Sequence, residues 1–273
     1  MKPKNIEIIN RSFGLQAADF ESKSVNFSKE EYLEYTISMV APDRQDRVLE
    51  VAAGTCVCGR SFAPLVNTVV CLDATLPMLE IGKREAEKSC LNNMIFIQGY
   101  AQELPFLEKS FDIVFSRLAF HHFTDTDTVF SQMVRVLKPG GKLVLIDMEA
   151  PEQSLRKTED EIETLRDPSH VKNLSKAEMQ DLFIRHSLKI EKCDTREIQQ
   201  RLPNWMALTK TPDMVQKDIT KRMQAELEGK EKTGFYPYLE DQIICFNQRW
   251  LLLIGTRTLA CLNPKTEYRQ EKM

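Results

Sequence analysis

The chain has 273 residues, 42% of them hydrophobic, and a formal net charge of −3 from 37 basic and 40 acidic side chains. That length can bury a sizeable core, and the near-neutral balance without a long Lys/Arg block excludes extended binding along a nucleic-acid backbone. Residues 1–7 lack the apolar run of a signal peptide and no later stretch is apolar for long enough to span a bilayer, so a cytoplasmic protein without a membrane span is expected.

Residues 1–43 read as mainly helical, with aromatics at Phe13, Phe20, Phe27, Tyr32 and Tyr35. Ser28 and Glu31 form a capping-box pattern, placing a helix over 29–39 that stops before Pro42, and Leu33, Ile37 and Val40 suit it to packing on a sheet. The segment either covers the core or closes as a lid over a substrate. Next comes Val48-Leu49-Glu50-Val51, which opens into Ala52-Ala53-Gly54: a buried strand stopping at a tight loop, with a helix near 60–65. Small residues there let backbone approach a ligand at a helix N-terminus.

A second apolar run, 69–73, ends at Asp73, about 20 residues past the glycine, where a carboxylate can accept hydrogen bonds from both hydroxyls of a ribose. The two strands therefore predict an adenosine-containing ligand, either a dinucleotide or S-adenosylmethionine. Close approach to a pyrophosphate favours glycine at positions filled here by Ala52, Gly54 and Cys56, which disfavours the dinucleotide. Of the seven cysteines, no spacing suggests a disulfide framework, and Cys56 with Cys58 falls short of a four-ligand zinc site; reduced thiols and no metal are expected.

Met78, Leu79 and Ala86 mark a helix over 77–88, followed by a short strand at 95–97 and Tyr100-Ala101-Gln102. A fourth strand, 111–115, emerges at Ser116-Arg117-Leu118 and the His121-His122 pair. Residues 124–127 cap a helix with the stripe Val129, Phe130, Met133, Val134 and Leu137, which Lys138-Pro139-Gly140-Gly141 ends before a fifth strand at 142–147. Strand and helix alternate throughout 47–147, the pattern of a parallel sheet covered on both faces. Beyond it lie a charged helix over 152–165, a break at Asp167-Pro168-Ser169-His170, and a capping box at Ser175 and Glu178 starting a helix to about His186. Strands at 188–193 and 249–255 flank a polar, helical excursion over 197–245, whose Trp205, Met206, Met214, Phe235, Tyr236 and Tyr238 form either a satellite core or a wall over a substrate.

Through Glu50-Val51-Ala52-Ala53-Gly54-Thr55, Leu72-Asp73-Ala74 with Met78-Leu79, Leu104-Pro105-Phe106, Phe111-Asp112-Ile113-Val114, His121-His122-Phe123 and Arg135-Val136-Leu137-Lys138-Pro139-Gly140-Gly141, the sequence resembles the class I S-adenosylmethionine-dependent methyltransferases. It is most similar to the type 11 branch that includes the ubiquinone/menaquinone-biosynthesis methyltransferases. The resemblance implies an α/β, Rossmann-like fold: a seven-stranded, mostly parallel sheet with helices on both faces and an antiparallel last strand between the fifth and sixth. It implies one methyltransferase domain over 1–273, with a helical cover (1–43), an S-adenosylmethionine-binding core (44–150) and a C-terminal half (151–273) carrying the excursion. The donor would be S-adenosylmethionine, the product S-adenosylhomocysteine, and the acceptor a small molecule.

By the same resemblance, Glu50, Ala52, Gly54 and Cys56 lie along the methionine part of the donor, Asp73 holds its ribose, and Ala74 and Met78 border adenosine. Ala101 and Gln102 flank adenine, with Tyr100 where relatives carry an acidic residue, and Arg117 and Leu118 sit beside the donor methyl. His121 and His170 are candidate bases because imidazole titrates near neutrality; a packing role for His121-His122 is the alternative. Two other functions stay open at this point: an NAD-dependent oxidoreductase sharing Asp73, and a non-catalytic S-adenosylmethionine-binding protein.

Overall fold

Side chains that alternate between two apolar faces build the sheet, and its strands are read directly from that alternation. The computed structural model describes residues 4–20 and 29–258, so Phe27, Ser28 and Cys261 lie outside the described residues. The strands are β1 (Arg47–Val51), β2 (Thr68–Asp73), β3 (Met94–Gln98), β4 (Phe111–Arg117), β5 (Leu137–Met148), β6 (Leu188–Arg201), β7 (Tyr238–Glu240) and β8 (Ile243–Arg257). Val48, Val69, Cys71, Ile113, Phe115, Val144 and Ile146 face one core, while Leu49, Val51, Val70, Leu72, Val114, Leu143 and Leu145 face the other. A sheet buried on both sides needs such continuous apolar strands.

The strand order is β3-β2-β1-β4-β5-β8-β6. Pairs among the first five are parallel, and β8 runs antiparallel between β5 and β6, as the resemblance implied. An eighth strand, β7, adds a three-residue antiparallel pairing on β8. Three boundaries differ from the sequence reading. Lys138-Pro139-Gly140-Gly141 lies inside β5 as a bulge, because Leu137 already pairs with Phe111 before Lys142 pairs with Ile113, and Lys138 Nζ anchors it on both Asp112 oxygens at 2.8 Å. β6 continues to Arg201 and β8 begins at Ile243, so both ends of the excursion are strand; β6 is an edge strand with many exposed side chains, and no apolar alternation marks its extension.

The helices are α1 (Ile6–Gln16), α2 (Glu30–Val40), α3 (Val57–Phe62), α4 (Leu76–Lys88), α5 (Thr126–Val136), α6 (Arg156–Arg166), α7 (Lys176–Arg185), α8 (Leu202–Leu208) and α9 (Asp213–Leu227). Leu33 and Val40 of α2, Phe62 of α3 and Leu79 of α4 cover one sheet face; Val129, Phe130 and Met133 of α5 and Met179, Leu182 and Phe183 of α7 cover the other. The Ser175–Glu178 capping box forms, with reciprocal bonds of 3.2 and 2.8 Å. Trp205, Met206 and Phe235 do make a satellite core, joined by Ile162 of α6 and Phe246 of β8, whereas Met214 stays 77% exposed. Among the described residues no helix is long and apolar enough to cross a membrane.

Candidate functional site

β1 has β2 on one side and β4 on the other, so the order of connection reverses there and the chain leaves the carboxyl ends of these strands in opposite directions. Ligands of open α/β sheets bind at such a switch point. A cleft opens there, floored by the segments that follow β1 to β4: residues 52–55, 73–75, 100–102 and 117–119. Ile6, Ile9, Phe13 and Phe20 from the N-terminal segment and Asn204, Trp205 and Leu208 from α8 form its other walls.

The loop after β1 is tightly wound. Ala52, Gly54 and Cys56 all have left-handed backbone, with φ of 56°, 54° and 58°. Two of the three carry a Cβ, at a cost of roughly 1–2 kcal/mol each, so the loop holds a strained shape that its surroundings must enforce. Asp73 is one enforcer. Its Oδ2 accepts from Gly54 N at 2.8 Å and its Oδ1 from Thr75 N at 2.7 Å, joining the loop after β1 to the N-terminus of α4. Burial pushes its carboxyl above the usual range, against the pull of these backbone amides. Glu50, 3% exposed, is a second: its Oε2 accepts from Gly59 N at 2.9 Å and Cys71 Sγ at 3.5 Å, and burial raises its pKa to about 8. With Cys56 and Cys71 it forms a buried cluster of one carboxyl and two thiols within 4.8 Å.

Gly82 of α4 completes the clamp, because a Cβ there would stand 2.6 Å from Thr55 O. Gly82→Ala is therefore expected to lower stability by about 1–3 kcal/mol through overpacking, in spite of alanine's better helix propensity. Denaturant unfolding measures it, and a variant as stable as the parent would mean that α4 does not press on the loop.

At the far end of the cleft the His121 ring donates Nδ1–H to Asp147 Oδ1 at 2.6 Å, while Asp147 Oδ2 takes the amides of Phe120 at 2.6 Å and His121 at 3.3 Å. Burial alone would lower the His121 pKa, but the charge and hydrogen bond of Asp147 lift it above the ordinary histidine value. His122 differs: burial and the charge of His121 lower it to about 3, so it stays neutral, with Nδ1 on Ser169 Oγ at 3.1 Å and Phe13 edge-on at 5.0 Å. Ser169 Oγ in turn donates to Asp167 Oδ1 at 2.6 Å, and α1 is fastened to the same carboxylate by Ser12 Oγ at 2.7 Å and Gln16 Nε2 at 3.2 Å.

Glu50, Ala52, Gly54, Asp73, Ala74, Met78, Ala101, Gln102, Arg117, Leu118 and His121 all line this one cleft. Two expected residues do not. The left-handed backbone at Cys56 turns its side chain into the core, where it is 0% exposed, and the neighbouring Cys58 lines the cleft instead. His170 is buried outside the wall, its Nε2 engaged by Asp160 of α6 at 2.9 Å. Thr55 and Asp167 are wall residues that the sequence did not single out as site residues, and His122, the other member of the histidine pair, lines the same wall. The capacity of the Asp-Pro-Ser turn to present a carboxylate was the signal available for Asp167.

The family profile of the methyltransferase domain (Methyltransf_11) matches residues 49–145. YcgJ of Bacillus subtilis, named an uncharacterized methyltransferase, is 31% identical over 233 residues, which span 85% of this chain and 92% of that protein. Its crystal structure superposes with a TM-score of 0.78, at 29% identity, covering 85% of this chain and all of the other. The ubiquinone/menaquinone biosynthesis C-methyltransferase UbiE of Teredinibacter turnerae is 36% identical over 125 residues, 44% of this chain and half of that enzyme. A phosphoethanolamine N-methyltransferase 2 of Haemonchus contortus, in complex with phosphomonomethylethanolamine and S-adenosylhomocysteine, shares the fold at 17% identity and a TM-score of 0.66 over 94% of this chain and 61% of its own. With the sheet order, the cleft at its switch point and a relative matched over nearly its full length, the chain belongs to the class I methyltransferase family.

Proposed function

We propose that the chain transfers a methyl group from S-adenosylmethionine to a small organic acceptor. The observation that carries this reading is the convergence of the Asp73 carboxylate and the Thr55 hydroxyl on the cleft. Among the described residues Thr55 Oγ1 is buried without a hydrogen-bond partner, and each Asp73 oxygen accepts from a backbone amide at the cleft floor. A polar ligand with a diol and an amino-acid end satisfies both groups. The Haemonchus enzyme, on the same fold, holds S-adenosylhomocysteine.

When bound, the donor supplies a methyl group already activated by its sulfonium charge. Asp73 accepts from the ribose hydroxyls; Tyr100, Ala101 and Gln102 border the adenine; Thr55, Gly54 and Glu50 hold the methionine end. Arg117 and Leu118, at the end of β4, set the floor beside the methyl. Asp147 fixes the His121 ring through Nδ1, and His121 lines the cleft, so Nε2 is the ring nitrogen that would take a proton from the acceptor. The apolar walls from α1 and α8 lie outside the family match at 49–145 and form the acceptor side, and their composition suits a small organic molecule.

Calorimetry with S-adenosylmethionine, S-adenosylhomocysteine and NAD tests the donor, and methyl release over a panel of small acceptors tests the transfer. Binding of NAD alone would restore the oxidoreductase reading, and donor binding without turnover on any acceptor would favour a non-catalytic role. Asp73→Ala is expected to weaken S-adenosylhomocysteine by about 1–3 kcal/mol through loss of charge-assisted hydrogen bonds. Unchanged affinity in a folded variant would remove Asp73 from the donor site.

A further inference from the structure

Behind the transfer cleft lies a second chamber of about 240 Å³, and the two share Met148 and Gln248. Those side chains touch, Gln248 Nε2 lying 3.0 Å from Met148 Sδ, so a flexible thioether and an amide are all that the two spaces hold in common. The chamber is acidic. Among the described residues Glu149, Glu159, Glu163 and Glu197 line it against one cation, Arg249, whose Nη2 donates to Ala150 O at 2.8 Å.

The acids are not equivalent. Glu163 is ion-paired with Arg166 through Nε and Nη2 at 3.0 and 2.8 Å. Glu149 and Glu197 are more exposed and accept from Thr195 Oγ1 and Asn247 Nδ2. Glu159, 8% exposed, is paired with no cation among the described residues; its one hydrogen bond comes from Asn173 Nδ2 at 3.3 Å. Asn173, 1% exposed on the same wall, keeps its Oδ1 buried with no partner among the described residues. A buried carboxylate without a cation and a buried carbonyl oxygen without a donor, side by side, each cost free energy that one ligand carrying both positive charge and N–H groups would recover.

We propose that this chamber binds an alkylammonium group, with Glu159 as its counter-ion and Asn173 Oδ1 as an acceptor of its N–H. A metal ion fits less well, since among the described residues no three of these carboxylates bring ligand atoms together as an ion requires. Phe235 and the ring of Tyr238 supply the apolar and π surface against which an alkyl stem and a cationic head pack. Burial and the charge of Glu163 push the Glu159 carboxyl well up, so the empty chamber favours the neutral acid and a bound ammonium favours the carboxylate. The group could belong to the methyl acceptor, reaching past Met148 and Gln248, or to a separate amine; the first source rests on the methyl-transfer reading above.

The test uses the full chain saturated with S-adenosylhomocysteine, titrated calorimetrically with butane-1,4-diamine and, as a neutral probe of the same length, butane-1,4-diol. The diamine is expected to bind at least about tenfold more tightly than the diol, and Glu159→Gln to reduce diamine affinity by about tenfold or more while S-adenosylhomocysteine affinity is unchanged. Equal binding of diamine and diol, no binding of either at millimolar concentration, or an undiminished diamine affinity in folded Glu159→Gln would overturn the proposal. Should that variant fail to fold, the contrast between the two probes on the parent protein decides. Failure of S-adenosylhomocysteine to bind, with the diamine still preferred over the diol, would instead strike the donor reading and leave the chamber standing. Incubation with S-adenosylmethionine separates the sources: a methylated diamine marks the acceptor's own amine, and an unmodified, bound diamine marks a separate ligand.

Discussion

Replacing His121 with glutamine is expected to slow methyl transfer by about 10²–10⁴-fold while S-adenosylhomocysteine affinity changes little. Glutamine keeps a polar group near Asp147 but cannot take a proton, whereas the donor contacts assigned to Thr55, Asp73 and Gln102 are made elsewhere in the cleft. The pH dependence has a definite sign. Asp147 raises the His121 pKa, so the basic form predominates only above that raised value, and the parent rate should climb with pH through it and then level off. The same shift enters stability in the opposite sense. A histidine whose folded pKa is raised contributes stability fully present below its unfolded pKa and lost as pH rises through the folded one, so the proton loss that frees Nε2 also weakens the Asp147 contact. A merely structural His121 would give a variant with an altered melting transition but the parent's pH–rate profile. That result, or a fully active variant, would end the base assignment.

What could be read from sequence follows from which physical signal each residue leaves. β1, β2, β4 and β5 are buried on both faces, so Val48-Leu49, Val69-Val70 and Leu143-Val144-Leu145 appear as unbroken apolar runs. β6 beyond Cys193 is an edge strand polar but for Ile198, and nothing in Glu197, Gln199 or Gln200 separates it from a loop. The cleft residues at strand ends were legible because strand ends carry fixed chemistry, and Asp73 falls at the end of β2 as the spacing implied. Cys56 was misplaced because a motif position gives the order of residues along a loop, while the direction of a side chain depends on φ, here +58°. His170 was misplaced because its partner, Asp160, sits one helix earlier and only the turn at Asp167 brings them together. The pairing of His121 with Asp147 joins residues 26 apart across two strands, which no local pattern reports.

Removing residues 1–27 is expected to abolish measurable transfer while leaving S-adenosylhomocysteine bound, weaker by about 1 kcal/mol. The loss in binding comes from Phe20, whose ring edge lies 3.9 Å from where a Cβ at Gly54 would stand, so it overhangs the loop assigned to the methionine end. The loss in transfer is larger because α1 supplies Ile6, Ile9 and Phe13 to the wall, and without them water enters a displacement that depends on a dry, closed site. α1 is also fastened to what lies beneath it: Asn5 Nδ2 donates to His122 O at 2.9 Å, Ser12 and Gln16 hold Asp167, and Lys210 after α8 pairs with Asp19. Asp167 itself is held well below the usual carboxylate range; burial opposes this, but the charge of Arg166 and its hydroxyl donors prevail. A depressed carboxylate contributes stability present above its unfolded pKa and lost as pH falls through the folded value, so the fastening of α1 should hold until the pH falls well below the usual carboxylate range. Because the truncation also uncovers Ile6's and Ala17's packing surfaces, a cooperative melting transition in the shortened protein is required. Undiminished transfer by that folded protein would show that α1 is not part of the working site, and α8 with the ends of β6 and β8 would then have to shield the acceptor alone.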